Sequence, residues 1–375
     1  MLQGIHLTLL IGPGVPVPVP ESVVDAIVSV QVTSSKDTSG FQIVLAVSKN
    51  STLLTTLLPA GYFDPISTRV IVIVTVGGMP QVLMDGVVTR QELAPSSEPG
   101  QSMLTITGED LSVLMDLIDL TGVPYPAMTE VARIYLMLAK YAEFGIVPVA
   151  IPPIPPDIPV PTDEIPTQRG TDRAYIRTLA GQAGYVFYVE PGPLPGQSIA
   201  YFGPDVRIPV PQSALNINMD ADTNVDTLSF SFDGLQKKIV LYSIMDPVTK
   251  KIVIPIPVPN LSIIRPPLGA KLPIPWRLEQ QEGAAKNNPA KAAQEILGIL
   301  FNASDAITVS GSLDVLRYGR VLRSRMLVGV RGSGIAYDGL YYVNSVTHNL
   351  KRGEYKQSFQ LSRDGTISLT PKVPA

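Results

Sequence analysis

The chain has no cysteine, two histidines and one tryptophan in 375 residues. Without cysteine there is no disulfide scaffold, no thiolate zinc site and no cysteine nucleophile. His6 and His348 are too few for a histidine metal centre, and a Ser-His-Asp triad would have to use one of them. His6 lies in an apolar amino-terminal stretch and His348 alternates with Val346 and Leu350, so both read as structural or surface histidines. Charge is scarce as well, at 16% of residues, where about 25% is usual. A net charge of −3 creates no field that would gather nucleic acid or anionic lipid. The longest apolar runs, such as Val70 to Val76, have strand length, far below the ~20 residues that span a bilayer. Met1 to Gly14 is apolar but lacks the basic start of a secretory signal.

Apolar residues make up 45% of the chain, and there are 36 prolines and 30 glycines. Disorder needs the opposite balance of apolar and charged residues, and coiled coils or helical repeats do not tolerate so much proline. The composition fits a soluble, strand-rich protein of two or three domains. Its low charge leaves neutral surface that either an assembly interface hides or ordinary solvent covers.

Alternation at period two predicts strands at 26–33, 40–47, 69–76, 82–90 and 104–107, with a polar turn over 34–39 and a hairpin at Gly77-Gly78. Helices are expected over 51–58, over Leu111 to Leu120 and over Met128 to Phe144, the last with 131, 134, 135, 138 and 141 on its buried face. Prolines 148, 152, 153, 155, 156, 159, 161 and 166 make the next segment an extended strap. A helix over 172–183, capped by Asp172 and ended by Gly184, then leads into a strand at 185–190. Strands return at 227–233, 238–245 and 251–256, a helix is expected over Gly283 to Ser304, and strand and turn fill Ala306 to Ile367. The proline ladders at 16-18-20, 209-211 and 255-257-259 fit loops or sheet edges, because alternate N–H groups are missing. The fold class expected is mostly β with a small α/β insertion.

No catalytic constellation emerges. Asp220, Asp222 and Asp226 resemble half a calcium loop but read as a polar turn. Gly329 to Gly334 lacks the lysine and following helix of a phosphate loop and reads as a hairpin turn. Carboxylate pairs of glycosidase type can meet from anywhere in a chain, so spacing does not exclude them. Basic residues gather at Arg317, Arg320, Arg323, Arg325 and Arg331. In strands, Arg323 and Arg325 would point the same way, toward a pore, a partner's acidic surface or solvent.

Three stretches carry a family resemblance. Gln168, Thr171, Asp172, Leu179, Gly184 and Tyr185 lie in a helix-to-strand segment that resembles one in the baseplate hub proteins of contractile tails. Gly339, Tyr342, Val346 and His348, followed by Phe359 and Leu361, are similar to that family's closing hairpin, and Thr107 to Asp110 fits the start of its inserted domain. The family includes phage late control protein D and the hub part of type VI secretion spikes. The resemblance implies two tube-like β-barrel domains per chain plus inserted α+β segments. The corresponding regions would be 1–103, the insert at 104–204, returning strands at 205–282, and a second barrel region at 283–375.

It further implies a homotrimeric, pseudo-sixfold ring in a virion or injection-system baseplate, assembled in the host cytoplasm. Its partners would be the tail tube or its initiator, the tape-measure protein, baseplate wedge proteins and a separate spike, since only twelve residues follow Arg363. No cofactor, enzymatic activity or membrane span is implied. Another β-rich virion protein, or an enzyme acting on cell wall or polysaccharide, are the competing classes.

Overall fold

The computed structural model describes residues 4–36, 38–98, 100–154, 159, 162, 165–207, 210–245, 252–259, 266–280, 296–300, 304–370 and 373. The first third folds as its alternation dictates. Strands β1 (His6–Pro13), β2 (Val17–Pro18), β3 (Ile27–Ser35), β4 (Ser39–Val47), β5 (Thr68–Val76), β6 (Met79–Ala94) and β7 (Ser102–Asp110) surround a short helix, α1 (Glu21–Ala26). On β4 the odd positions Phe41, Ile43, Leu45 and Val47 are buried while their neighbours are less so. Each such aliphatic side chain contributes about 1.5–3 kcal/mol by leaving water. The turn between β5 and β6 uses Gly77 and Gly78 at φ +58° and +83°, the left-handed pair that a two-residue hairpin requires. Residues 51–58 do coil, as a π-helical turn at Leu53–Leu57 that buries Leu53.

The insert follows. It holds a 3₁₀ turn (Leu111–Asp116), helix α2 (Glu130–Ala139), a 3₁₀ turn (Ala142–Phe144), β8 (Ile146–Ala150), helix α3 (Asp172–Ala183), β9 (Val186–Pro191) and β10 (Ser198–Gly203). Its sheet runs β8-β10-β9, with β8 parallel and β9 antiparallel to β10. Two expectations are corrected here. The helix at 111–120 stops at Asp116, and Leu117 and Ile118 are exposed rather than part of a buried face. Helix α2 turns Glu130, Arg133, Ile134, Met137 and Leu138 inward, while Tyr135 is exposed. The face shifts because Arg133 has a buried partner, the hydroxyl of Tyr175, 2.5 Å away.

The remaining elements are β11 (Gln212–Asn216), β12 (Thr227–Phe232), β13 (Lys238–Met245), β14 (Ile252–Pro259), β15 (Gly269–Lys271), β16 (Arg277–Gln280), β17 (Ile307–Asp314), α4 (Val315–Tyr318), β18 (Leu327–Arg331), β19 (Gly339–Lys351), β20 (Glu354–Arg363) and β21 (Thr366–Ser368). The proline ladder at 255-257-259 lies in β14, at the end of the sheet ordered β14-β13-β16. Asp220–Asp222 form a short exposed 3₁₀ turn between strands. The helix expected over 283–304 lies largely outside the described residues, with helical backbone at 296–300.

The fold is mostly β, with a small α/β insertion. Strand β19 pairs with β3 from Ser345↔Ser35 to Lys351↔Ser29, joining both β regions in one 13-stranded sheet ordered β12-β17-β20-β19-β3-β4-β7-β6-β5-β1-β2, with β18 branching from β19 and β11 pairing with β18. One apolar core runs through it, from Leu9 and Ile43 to Val346, Phe359 and Leu361. The insert has its own core around Ile134, Ile176, Leu179 and Phe202, touched from the main sheet by Val87. The closing hairpin is pinned by Arg363, which is fully buried. Its guanidinium donates to the carbonyls of Gly365, Asp338 and Ala336 at 2.7, 2.8 and 2.7 Å and lies over the Tyr341 ring.

Candidate functional site at the junction of insert and sheet

The residues of the helix-to-strand segment come together inside the insert. Thr171, not Asp172, caps α3: its Oγ1 accepts from Ala174 N at 3.2 Å. Asp172, at the first helical position, is instead buried in a polar knot. Gln168 Nε2 and Tyr141 OH donate to its two oxygens at 2.8 Å each, and Lys140 Nζ stands 2.5 Å away. Tyr125 OH donates to Gln168 Oε1. Burial first, then the hydrogen bond to Asp172, raises the Tyr141 phenol well above its ordinary pKa. Gly184 adopts φ +68° and ends α3 as the sequence predicts, and a side chain there would strike the backbone of Gly298. Leu179 and Tyr185 fill the apolar core beside it.

Four residues singled out in the second half, Arg323, Arg325, Tyr342 and His348, meet elsewhere. They line a cavity of about 500 Å³ between the insert and the main sheet. The insert supplies Tyr188, Glu190, Ile199 and Tyr201, and β6 supplies Gln81 and Val82. Arg325 is the centre of this junction. It is buried, and its guanidinium stacks 3.9 Å from the centroid of Tyr188. Its Nη1 donates to Glu190 Oε2 at 3.2 Å and its Nη2 to the Ser35 carbonyl at 2.5 Å. Tyr188 in turn stacks on Tyr201, centroids 5.2 Å apart. Tyr342 OH donates to Asp205 at 2.8 Å, and Arg207 lies over the Tyr342 ring while pairing with Asp305 at 2.6 Å. Burial, then Asp205, raises the Tyr342 phenol, and burial pushes Tyr201 up to about 12.

His348 sits where β19 meets both β3 and β20, opposite Val32 and Gln357. The Gln357 amide is oriented by Leu322, whose N–H it accepts and whose carbonyl it donates to, at 3.0 and 2.8 Å. Its Nε2 therefore faces His348 Nδ1 as a donor, at 3.2 Å, and Tyr355 OH approaches the same nitrogen at 2.7 Å. This arrangement requires Nδ1 to accept, so the proton sits on Nε2 and the ring is neutral. Burial, with Arg323 adding repulsion, pushes its pKa down to about 3.

The expectation that Arg323 and Arg325 share a strand face is corrected. Both precede β18 in a turn, Arg325 at φ +61°, so one is exposed and the other buried. Arg317 on α4 pairs with Asp226 at 2.8 Å, Arg320 is exposed, and Arg331 ends β18 half-buried.

Sequence reasoning missed a second tie across the junction. Arg69 on β5 holds Asp85 on β6 through two bonds of 2.7 Å, and the same Arg69 Nη2 reaches the Gly196 carbonyl in the insert at 3.2 Å. Ser198 Oγ completes the group, 3.4 Å from Asp85. Its signal was present: Arg69 and Asp85 each interrupt an apolar strand with a charge, and a buried charge needs a partner. Among the described residues no cluster of three or more histidine, aspartate or glutamate side chains could hold a metal ion, and no helix is long and apolar enough to cross a membrane. Most polar groups at the junction are spent on one another, which is chemistry for holding two bodies together.

No protein-family model and no curated protein sequence matches the chain. Solved structures do. The tail protein from Neisseria meningitidis MC58 superposes with a TM-score of 0.62 at 13% identity, over 97% of this chain and 98% of its own. The 43 kDa tail protein of prophage MuSo2 from Shewanella oneidensis gives 0.57 at 12% identity, over 97% and 99%. The E. coli c3393 protein, described as a component of the type VI secretion system with structural similarity to the T4 tail proteins gp27 and gp5, gives 0.50 at 10% identity, over 93% and 76%. The chain shares their fold.

Proposed function

We propose that this chain is a structural hub of a contractile tail, in a phage or a phage-like injection system. Three copies form a ring of pseudo-sixfold symmetry that joins the tail tube to a separate spike. One observation carries the reading: a single fold runs end to end through this chain and two tail proteins, covering 97% of this chain in each case. The description of the E. coli c3393 protein as a type VI secretion component similar to the T4 tail proteins gp27 and gp5 supports the reading.

On this reading the protein works by position. Regions 1–103 and 283–375, with strands β11 and β12 of 205–282 in the same sheet, supply the two tube-like parts of the ring, while the insert at 104–204 reaches outward to neighbours. The tape-measure protein and then the cargo pass through the lumen, the lower face seats the spike, and wedge proteins attach outside. Arg317, Arg320, Arg323 and Arg331 face the lumen or a neighbouring copy, whereas Arg325 serves the junction within one chain. Low charge suits large apolar contacts between subunits. The closing-hairpin residues Gly339, Tyr342, Val346, Phe359 and Leu361 act as fold-determining positions. Mass photometry of the purified chain, alone and with its spike, tests the reading. A trimer with a threefold ring in electron micrographs is expected, and a chain that stays monomeric with the spike present contradicts it.

A further inference from the structure

We infer that Arg325 is a latch that clamps the insert onto the main sheet, and that releasing it lets the insert swing about its apolar contact at Val87. This inference is independent of the proposed function and rests on how the two bodies touch. On one side Val87 of β6 enters the insert core beside Leu111, Leu114 and Met115, and the chain passes directly from β7 into the insert at Asp110. That side is apolar, continuous with the backbone, and resembles a hinge. Beside it the 500 Å³ cavity is lined from both bodies, so packing there is incomplete. Interiors without such gaps resist motion, because every displacement costs contacts, and a cavity removes that resistance.

What spans the cavity is polar. Arg325 belongs to the main sheet, since its N–H donates to the Val343 carbonyl at 2.8 Å and its Nη2 holds Ser35 at the end of β3. Its other contacts, Glu190 and Tyr188, belong to β9 of the insert. Three features make this contact releasable. Arg325 adopts a left-handed backbone that is unfavourable for a residue with a Cβ, so its loop is held in place by its contacts. Its Nε is buried without a hydrogen-bond partner among the described residues. Glu190 has 37% of its side chain exposed, so water and salt reach the ion pair. The Arg69–Asp85 pair differs: Asp85 is inaccessible, and the pair touches the insert through Arg69 to the Gly196 carbonyl and through Asp85 to Ser198. It is a fixed pivot beside the hinge, and Arg325 is the part that opens.

The absence of cysteine makes the test clean. Thr178→Cys on the outer face of α3 and Met79→Cys at the β5–β6 turn are both exposed. Spin labels at these two positions report the distance between insert and sheet by double electron–electron resonance. With Arg325 and Glu190 present, one narrow distance distribution is expected. Arg325→Gln is expected to broaden it or add a second population, and Glu190→Gln to do so to a smaller degree, as the Tyr188 stack survives. Raising ionic strength in the parent should move it in the same direction as Glu190→Gln. A narrow, unshifted distribution in both variants overturns the latch. So does an Arg325→Gln protein that unfolds while Glu190→Gln and high salt leave the distance unchanged.

Discussion

The main sheet and the insert reach stability by different routes. The sheet core is mostly aliphatic: Val30, Ile43, Leu45, Val72, Ile106, Val309 and Leu361 share one continuous interior, and buried polar groups such as His348, Gln357 and Arg363 enter the sheet at its closing hairpin. The insert surrounds a smaller apolar core with buried polar groups, Gln168, Asp172, Arg133 and Glu130 among them. A hydrophobic core tolerates changes that keep volume and pattern, whereas a polar knot loses a whole set of bonds when one member goes. Away from those polar sites the sheet is therefore the tolerant frame, and the insert is specified by its polar knot.

Substitutions can break that contrast in order of size. The largest effect is expected at the tie between the regions. Asp85→Ala leaves Arg69 buried without its partner and should cost about 3–5 kcal/mol, read from urea unfolding; a loss comparable to a surface ion pair would mean water enters the junction freely. Next comes the frame itself. Leu45→Ala should cost about 2–5 kcal/mol and lower the whole transition, since its site is fully closed.

Asp172→Asn tests the knot in the insert. It turns an acceptor of Tyr141 and Lys140 into a group that presents N–H to donors, and should cost about 1–3 kcal/mol. Hydrogen exchange should show the loss concentrated in α2 and α3 with the main sheet protected. Equal loss in both regions would show that they unfold as one.

The smallest effect is a slope. His348 stays neutral in the folded protein down to about pH 3, while the unfolded chain takes up its proton near the ordinary value of about 6.5. Between those limits the unfolded state binds more protons, so this stabilisation is complete above pH 6.5 and drains away as pH falls. His348→Gln should flatten the dependence of unfolding free energy on pH between 6 and 4, whatever it does to stability at neutral pH.

The same contrast explains how much the sequence disclosed. Alternation marked the frame's strands at 26–33, 40–47, 69–76, 82–90 and 104–107, because a one-sided sheet writes its buried face directly into the chain. Gly77-Gly78 and Gly184 were legible too, as each backbone shape demands glycine. The insert hid its face: α2 turns Glu130 and Arg133 inward, and a pattern that counts apolar residues places them outside. The junction was hidden more deeply. Arg325 stood out in a cluster of arginines, but its partners Glu190 and Ser35 lie 135 and 290 residues away in the chain. No local periodicity records a contact of that kind.

The measurement that bears most directly on the account is a cryo-electron microscopy map of the particle that contains this chain. The account predicts three copies in a ring between tail tube and spike, with the continuous β3–β19 sheet recognisable in each. A map with the chain in another stoichiometry, or away from the axis that joins tube and spike, would contradict it.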